Sequence, residues 1–484
     1  FQSNHIIIPS SIDELCQAVK VSKPPIRVVG RGHSFTPLAE CKGGTLISLS
    51  RLNKVLDYCP PSKDSLGYMT IQGGTTYTEV AQFLKKQKVM GGSGGALRNL
   101  PSCSQFTVVG AIATATHGSG IDIQNLAADI ASIEFVKADG TLVRYSRNAN
   151  QKLLEGCRIH LGCLGIVSSL TLDIVPYYDV MSYRYDDIKL DYMIDNLPNM
   201  WKSCDSLSVW TSGFGRGHGT GYCWAVYRYF MTEDEKEETL SDRHTIPNKS
   251  KDSGVLCDIP INRYCTDPNN NSMTFRHTGR KPWYDGLTLT MNECQETSMT
   301  IVDLQAELFV PLVYACDAIR TVWETTQNWT FSSPWGYVER RQGKELIIEI
   351  DGTGEVLAPQ KGLVDAMEFR QVKGGDNGWL SPHPVDSLGI HISFNGDETL
   401  RPLVLKRVSE IERALKTKFG AVRAHWGKLA PLTFAPKNVE KVYGEGFKQF
   451  RQLCKVHDPK GKFLNRHMRQ MLFEHDESPL YAKL

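Results

Sequence analysis

The chain has 484 residues, 41% hydrophobic and 22% charged, which excludes disorder as its main state and predicts two to four domains at about 100–200 residues each. Its 55 basic and 53 acidic residues leave a net charge of +2, so there is no electrostatic footprint for nucleic acid or a charged membrane surface. No apolar run reaches the roughly 20 residues that span a bilayer, and 13 cysteines without a Cys-x-x-Cys pair exclude a zinc ribbon or disulfide scaffold. Mostly free thiols favour a reducing, cytoplasmic setting. Phe1-Gln2-Ser3 resembles the remnant of a cleaved tag and is set aside. Sequons at Asn248, Asn270 and Asn328 read as chance patterns more readily than as glycosylation sites.

The first 175 residues alternate helical and extended patterns. A helix is expected over Ser10 to Val19, with Ser10 and Ser11 as caps and Ile12, Leu15 and Val19 on one face. Strands follow over Ile26 to Val29, Thr45 to Leu49 and Met69 to Gln72, the last running into Gly73-Gly74. Thr78 to Leu84 reads as a helix. Ile130 to Lys137 and Leu142 to Tyr145 form a hairpin about Asp139-Gly140, and Ile166 to Val175 is a strand stopped by Pro176. Ser182 to Phe230 reads as aromatic-rich strands, and Thr232 to Asn271 as a polar, exposed insertion. Ile301 to Phe309 and Trp335 to Ile350 again look extended. Helices are expected over Pro311 to Trp323, with Pro311 at the first helical position, and over Val404 to Phe419. Asn438 to Leu472 reads as a helix, a turn at Asp458-Pro459-Lys460-Gly461, and a shorter helix. Strands backed by helices make a layered α+β protein.

Two glycine-rich segments bear on chemistry. In Val28-Val29-Gly30-Arg31-Gly32-His33-Ser34, glycines directly after a strand let the backbone turn and aim N–H groups at an anion. Taken bare, His33 reads as a satisfied loop histidine. In Gly110-Ala111-Ile112-Ala113-Thr114-Ala115-Thr116-His117-Gly118-Ser119-Gly120, a run of small residues admits a flat or anionic ligand; the bland reading is a tight turn. Neither is a Rossmann Gly-x-Gly-x-x-Gly or a P-loop, so nicotinamide or nucleoside triphosphate binding by those routes has no support. Further on, Glu368 and Arg370 share one strand face, as do His391 and Ser393. Without context Glu368 and Arg370 read as part of a surface ladder.

Taken in order, these segments resemble the FAD-binding domain of the vanillyl-alcohol-oxidase superfamily, together with Leu161-Gly162-Cys163-Leu164-Gly165-Ile166-Val167. His425-Trp426-Gly427-Lys428, Asp458-Pro459 and Phe463-Leu464-Asn465 are similar to the tail of its sugar-1,4-lactone oxidase and alditol oxidase branch. Met367-Glu368-Phe369-Arg370, Trp379-Leu380-Ser381-Pro382 and His391-Ile392-Ser393 look like the alditol oxidase substrate site, with Ser393 where those enzymes have Thr. The resemblance implies a two-domain, α+β FAD-linked oxidase fold. The FAD domain would comprise residues 4–176 with a returning segment 431–484, and a cap 177–430 would carry the insertion 232–271.

It also implies roles. His33 would hold FAD covalently through the flavin 8α-methyl, while Cys103, outside any bicovalent pattern, would be an ordinary thiol. Gly30, Arg31, Gly32, Ser34, Thr107, Ala115, Thr116, His117, Gly118, Ser119, Gly120, Ile166, Val167, His425 and Lys428 would bind cofactor. Glu368, Arg370, His391, Ser393, Thr107 and Lys428 would bind substrate. Arg370 and Lys428 would be catalytic, stabilising charge as the hydroxyl proton leaves. Val109 would stand where the family controls oxygen access. No metal is expected. The implied reaction is oxidation of a polyol or sugar-derived alcohol, with O₂ reoxidising the flavin to give H₂O₂; the alternative is an aldonolactone oxidase or dehydrogenase. A flavin-binding protein without turnover would have no need of Glu368, Arg370, His391 and Lys428 together.

Overall fold

The computed structural model describes residues 3, 5–91, 94–211, 222–236, 240, 274–288, 303–327, 329, 340–342, 345–347 and 363–473. Nearly all of the polar insertion, the three sequons and most of Trp335 to Ile350 lie outside the described residues.

The N-terminal part builds two small sheets. β1 (His5–Ile7), β2 (Ile26–Val29) and β3 (Thr45–Ser48) pair in parallel in the order β1-β3-β2. β4 (Val55–Cys59), β5 (Gly67–Gln72), β6 (Ile130–Val136), β7 (Leu142–Ser146) and β8 (Ile166–Ile174) form an antiparallel sheet ordered β4-β5-β8-β6-β7. Four helices accompany them: α1 (Ile12–Val21), α2 (Tyr77–Val89), α3 (Val108–Ile112) and α4 (Arg147–Arg158). α1 starts where Ser11 accepts from the Glu14 amide at 3.1 Å, and α2 at a reciprocal Thr76–Glu79 capping box. Each such cap stabilises by about 1 kcal/mol.

One buried side chain ties the glycine segments together. Arg27, on β2, donates to the carbonyls of Leu38, Leu161, Gly162 and Phe463 at 2.6–2.8 Å. The Phe35 amide donates to the Gly427 carbonyl at 2.7 Å, which joins the loop after β2 to the His-Trp-Gly-Lys segment.

The second part is an eight-stranded antiparallel sheet. Its strands include β9 (Asp179–Lys189), β10 (Ser206–Thr211), β11 (Tyr222–Met231), β12 (Thr274–Pro282) and β13 (Asp303–Pro311). After a separate pair, β14 (Arg340–Gln342) and β15 (Glu345–Ile347), come β16 (Val364–Val372), β17 (Ser387–Asn395) and β18 (Arg423–Ala424). The order is β12-β9-β11-β10-β16-β17-β13-β18. The helices are α5 (Leu190–Lys202), α6 (Trp283–Gly286), α7 (Ala315–Thr326) and α8 (Arg401–Phe419). Leu304, Ala306 and Leu308 of β13, Phe369 of β16, and Ile390, Ile392 and Phe394 of β17 are buried in one core with α5, α7 and α8. The strand period of two therefore turns Glu307, Glu368, Arg370, His391 and Ser393 to the other face. α9 (Pro436–His457) and α10 (Arg466–Phe473) return to the first core through Val439, Phe447, Phe450 and Met468.

Two expectations are corrected. Pro311 is the last residue of β13, opposite Ser387, and α7 begins only at Ala315 after a 3₁₀ turn. A proline is tolerated at a strand end, where the ladder no longer needs its N–H. The stretch Ser182 to Phe230, read as aromatic-rich strands, also contains α5, whose Leu190, Met193, Ile194, Leu197 and Trp201 are buried. Pro198 inside that helix masks its period.

Candidate active site

A cavity of about 660 Å³ runs between the two parts. Its wall includes Gly30–Phe35, Gly73–Gly74, Ser102–Cys103, Phe106–Thr107, Val109–Ala111, Thr116, His117, Ile166 and Val167, and on the cap side Glu307, Glu368, Arg370, His391, Ser393, His425 and Lys428. The His33 ring lies against Phe106, centroids 4.5 Å apart, and burial followed by the Arg31 charge lowers its proton affinity. A methyl group at residue 30 would lie 2.3 Å from Thr107 Oγ1, so only glycine lets the first loop close on Thr107.

The cavity also holds an unmet donor. His160 Nδ1 accepts from the Gly162 amide at 3.1 Å, so the ring's proton is on Nε2, which has no partner among the described residues. Burial pushes the His160 pKa down to about 3, which keeps the ring neutral.

On the cap side the sheet register lines up Trp210, Glu368, His391 and Glu307 directly across β10, β16, β17 and β13. Arg370 pairs with Glu368 at 3.2 Å and reaches past β17 to Glu307 at 3.0 Å. It does so beside Gly389, where a methyl would sit 3.5 Å from Glu307 Oε1. Lys428 Nζ donates to Glu307 Oε2 at 2.7 Å and lies 2.7 Å from His391 Nδ1. An ammonium only donates, so His391 carries its proton on Nε2 and gives it to Ser393 Oγ at 3.1 Å. The Gly427 amide donates to His425 Nδ1 at 3.0 Å, which leaves His425 Nε2 to donate to Thr116 Oγ1 at 3.3 Å.

His117 bridges the two parts. Its Nδ1 faces the Gly118 carbonyl at 2.7 Å and its Nε2 faces Glu307 Oε1 at 3.0 Å. Both partners are acceptors when Glu307 is ionised, so both ring nitrogens donate only when His117 is protonated; burial lowers its proton affinity and Glu307 opposes that.

Electrostatics follow from burial. Burial alone would raise the Glu307 carboxyl, but Lys428, His117 and Arg370 overcome it and hold it well below the usual carboxylate range. Glu368 goes the other way: burial raises it, against the pull of Arg370. Burial lowers Lys428, with Glu307 opposing. His391 and His425 are pushed well down, first by burial and then by Lys428.

The structure thus brings most of the expected residues to one cavity. Four lie off its wall: Ala115, Gly118, Ser119 and Gly120. The segment turns away after His117, Ser119 donating to the Leu207 carbonyl and Gly120 to that of Gln371, so it docks on the cap instead. Glu307 is absent from every motif. Its one signal is a lone carboxylate in the apolar strand Leu304–Val310, on the same alternation as Gln305 and Asp303.

A glycine-looped N-terminal domain and a polar strand row facing it share one cavity, large enough for a flat cofactor and a small substrate. Residues 3–146 match the family described as FAD binding domain, and residues 361–471 the family described as D-arabinono-1,4-lactone oxidase. The chain is 26% identical over 466 residues to an alditol oxidase from Streptomyces sp., covering 96% of this chain and 94% of that one. It is 25% identical over 482 residues to an L-gulonolactone oxidase from Mus musculus, with the same coverage. Over 174 residues, 36% of this chain and 37% of the relative, it is 34% identical to an L-gulono-1,4-lactone dehydrogenase from Mycobacterium tuberculosis. These matches are consistent with the vanillyl-alcohol-oxidase superfamily, and the chain is an FAD-dependent oxidoreductase.

Proposed function

We propose that this chain oxidises a polyol or sugar-derived alcohol. The observation that carries this reading is the row Glu368, His391 and Glu307 with Arg370 and Lys428 beside it, facing the cavity whose far end is the FAD-binding domain. The full-length relatedness to an alditol oxidase supports it. FAD, when bound, would supply the acceptor for the hydride of the alcohol carbon, with the hydroxyl proton going to solvent, and O₂ would take up two electrons and two protons to give H₂O₂.

The protein supplies position and charge. Arg370 and Lys428 stabilise the negative charge on the substrate oxygen as its proton leaves. Glu368 accepts a hydrogen bond from a substrate hydroxyl and steadies Arg370. His391, Ser393 and Thr107 take further hydroxyls, and several fixed polar partners suit a substrate with several hydroxyls. Gly30, Arg31, Gly32, Ser34, Thr107, Thr116, Ile166, Val167 and the His160 donor hold the cofactor. His33 carries it covalently, its neutral ring free to bond the 8α-methyl; after acid denaturation the yellow colour stays with the pellet, and colour wholly in the supernatant refutes attachment.

A second reading is supported by the match of residues 361–471 to the lactone oxidase family: an aldonolactone as substrate. Peroxide release from the purified enzyme with xylitol, sorbitol and aldonolactones separates the two. Turnover confined to lactones refutes the first.

A further inference from the structure

Glu307 belongs to none of the sequence motifs, yet it stands at the centre of the site. Its side chain is 1% exposed and faces Lys428 at 2.7 Å, His117 and Arg370 at 3.0 Å, and His391 at 4.0 Å. These partners come from four separate pieces of chain: the segment after β18, the loop after α3, β16 and β17. We propose that Glu307 is a positioning residue of the oxidation site: its carboxylate holds Lys428 as an ammonium and draws Arg370 across β17, so that both cations meet the substrate oxygen. The inference rests on the reading of the site given above.

Three observations support it. Lys428 is enclosed between Glu307 and His391, and burial strips protons from an amine, so a buried ammonium needs an adjacent anion. Arg370 reaches Glu307 across Gly389, its partner on β17, which puts no side chain beside the bridge. The two carboxylate oxygens are divided: Oε1 takes His117 and Arg370, and Oε2 is left to Lys428. Glu368 on β16 and His425 before Lys428 are the other titratable groups acting on the lysine.

The test uses the flavin-loaded enzyme and two readouts. One is the pH dependence of anaerobic flavin reduction. The other, independent of turnover, is the pH dependence of Lys428 acetylation by acetic anhydride, read by peptide mass spectrometry. In Glu307→Gln the volume stays and the charge goes. Both the alkaline limb of reduction and the Lys428 labelling curve then move to lower pH by about one to three units, the range for losing an opposite charge at this distance. Glu307→Asp restores most of the shift. His117→Asn moves both curves the opposite way, because the imidazole no longer competes with Lys428 for the carboxylate. This variant carries the test if Glu307→Gln yields no soluble enzyme. Curves that stay in place in these variants, while Lys428→Ala slows reduction, overturn the role of Glu307 alone. Parent rates in both Arg370→Ala and Lys428→Ala overturn the site reading instead.

Discussion

Replacing Arg370 with Ala removes a buried guanidinium held at 3.2 Å from Glu368 and 3.0 Å from Glu307. Breaking a buried pair by deleting one partner costs about 3–5 kcal/mol, because the remaining charge is left uncompensated. Here both carboxylates have an outlet. Glu307 keeps Lys428 and His117, and burial already raises Glu368 towards its neutral form. The lower end, about 3 kcal/mol, is therefore expected. At about 2–4 °C per kcal/mol for a large domain, Tm falls by roughly 6–12 °C. The catalytic loss is separate: one preorganised charge facing a developing oxyanion contributes about 2.7–4 kcal/mol, or roughly 10²–10³ in rate. Anaerobic rapid mixing over a range of substrate concentrations separates this loss in limiting rate from weaker binding. A folded, flavin-loaded Arg370→Ala enzyme that reduces at the parent rate refutes the placement of the site.

Gly389→Ala puts a methyl 3.1 Å from Phe309 Cε1 and 3.5 Å from Glu307 Oε1. It costs about 1–3 kcal/mol by overpacking, seen as a lower Tm, and slows reduction without loss of flavin. Val109 is buried on α3 and lines the cavity, so Val109→Ala, by opening it, speeds reoxidation of prereduced enzyme by O₂ and leaves reduction unchanged. Stability falls on acidification. His160 has a folded pKa of about 3, and His391 and His425 also lie below their ordinary value. Groups depressed in this way contribute stability that is whole above about pH 6.5 and lost as pH falls towards the folded value. The slope is up to about 1.4 kcal/mol per pH unit for each proton taken up. Denaturant midpoints at pH 7.5 and 5 measure it, and His160→Asn flattens it.

Much of the site is legible in the sequence because it sits on strands and next to glycine turns. A period of two puts Glu368 with Arg370 and His391 with Ser393, and β16 and β17 pair them as neighbours. Glu307 is hidden for the same reason. Within Leu304–Val310 it reads as any outward strand residue, and only the pairing of β13 with β17 shows that outward means into the cavity. The small-residue run misleads in its second half: Ser119 and Gly120 dock on the cap at Leu207 and Gln371, and Gly118 packs on Asn99. A methyl at Gly118 would lie 2.1 Å from Asn99 Oδ1. Asp458 and Asn465, legible as a family tail, serve packing. Asp458 accepts from the Phe463 amide, and Asn465 donates to the Pro37 and Glu40 carbonyls.

On the proposed reading, a polyhydroxy substrate reduces the bound flavin beside Arg370 and Lys428. The most direct test is the visible flavin spectrum of the purified enzyme under anaerobic addition of xylitol, sorbitol or an aldonolactone, followed by air. The account predicts bleaching with at least one of these, return of the oxidised spectrum in air with one H₂O₂ per flavin, and slow bleaching in Arg370→Ala and Lys428→Ala. An oxidised spectrum unchanged by every member of the panel would contradict it.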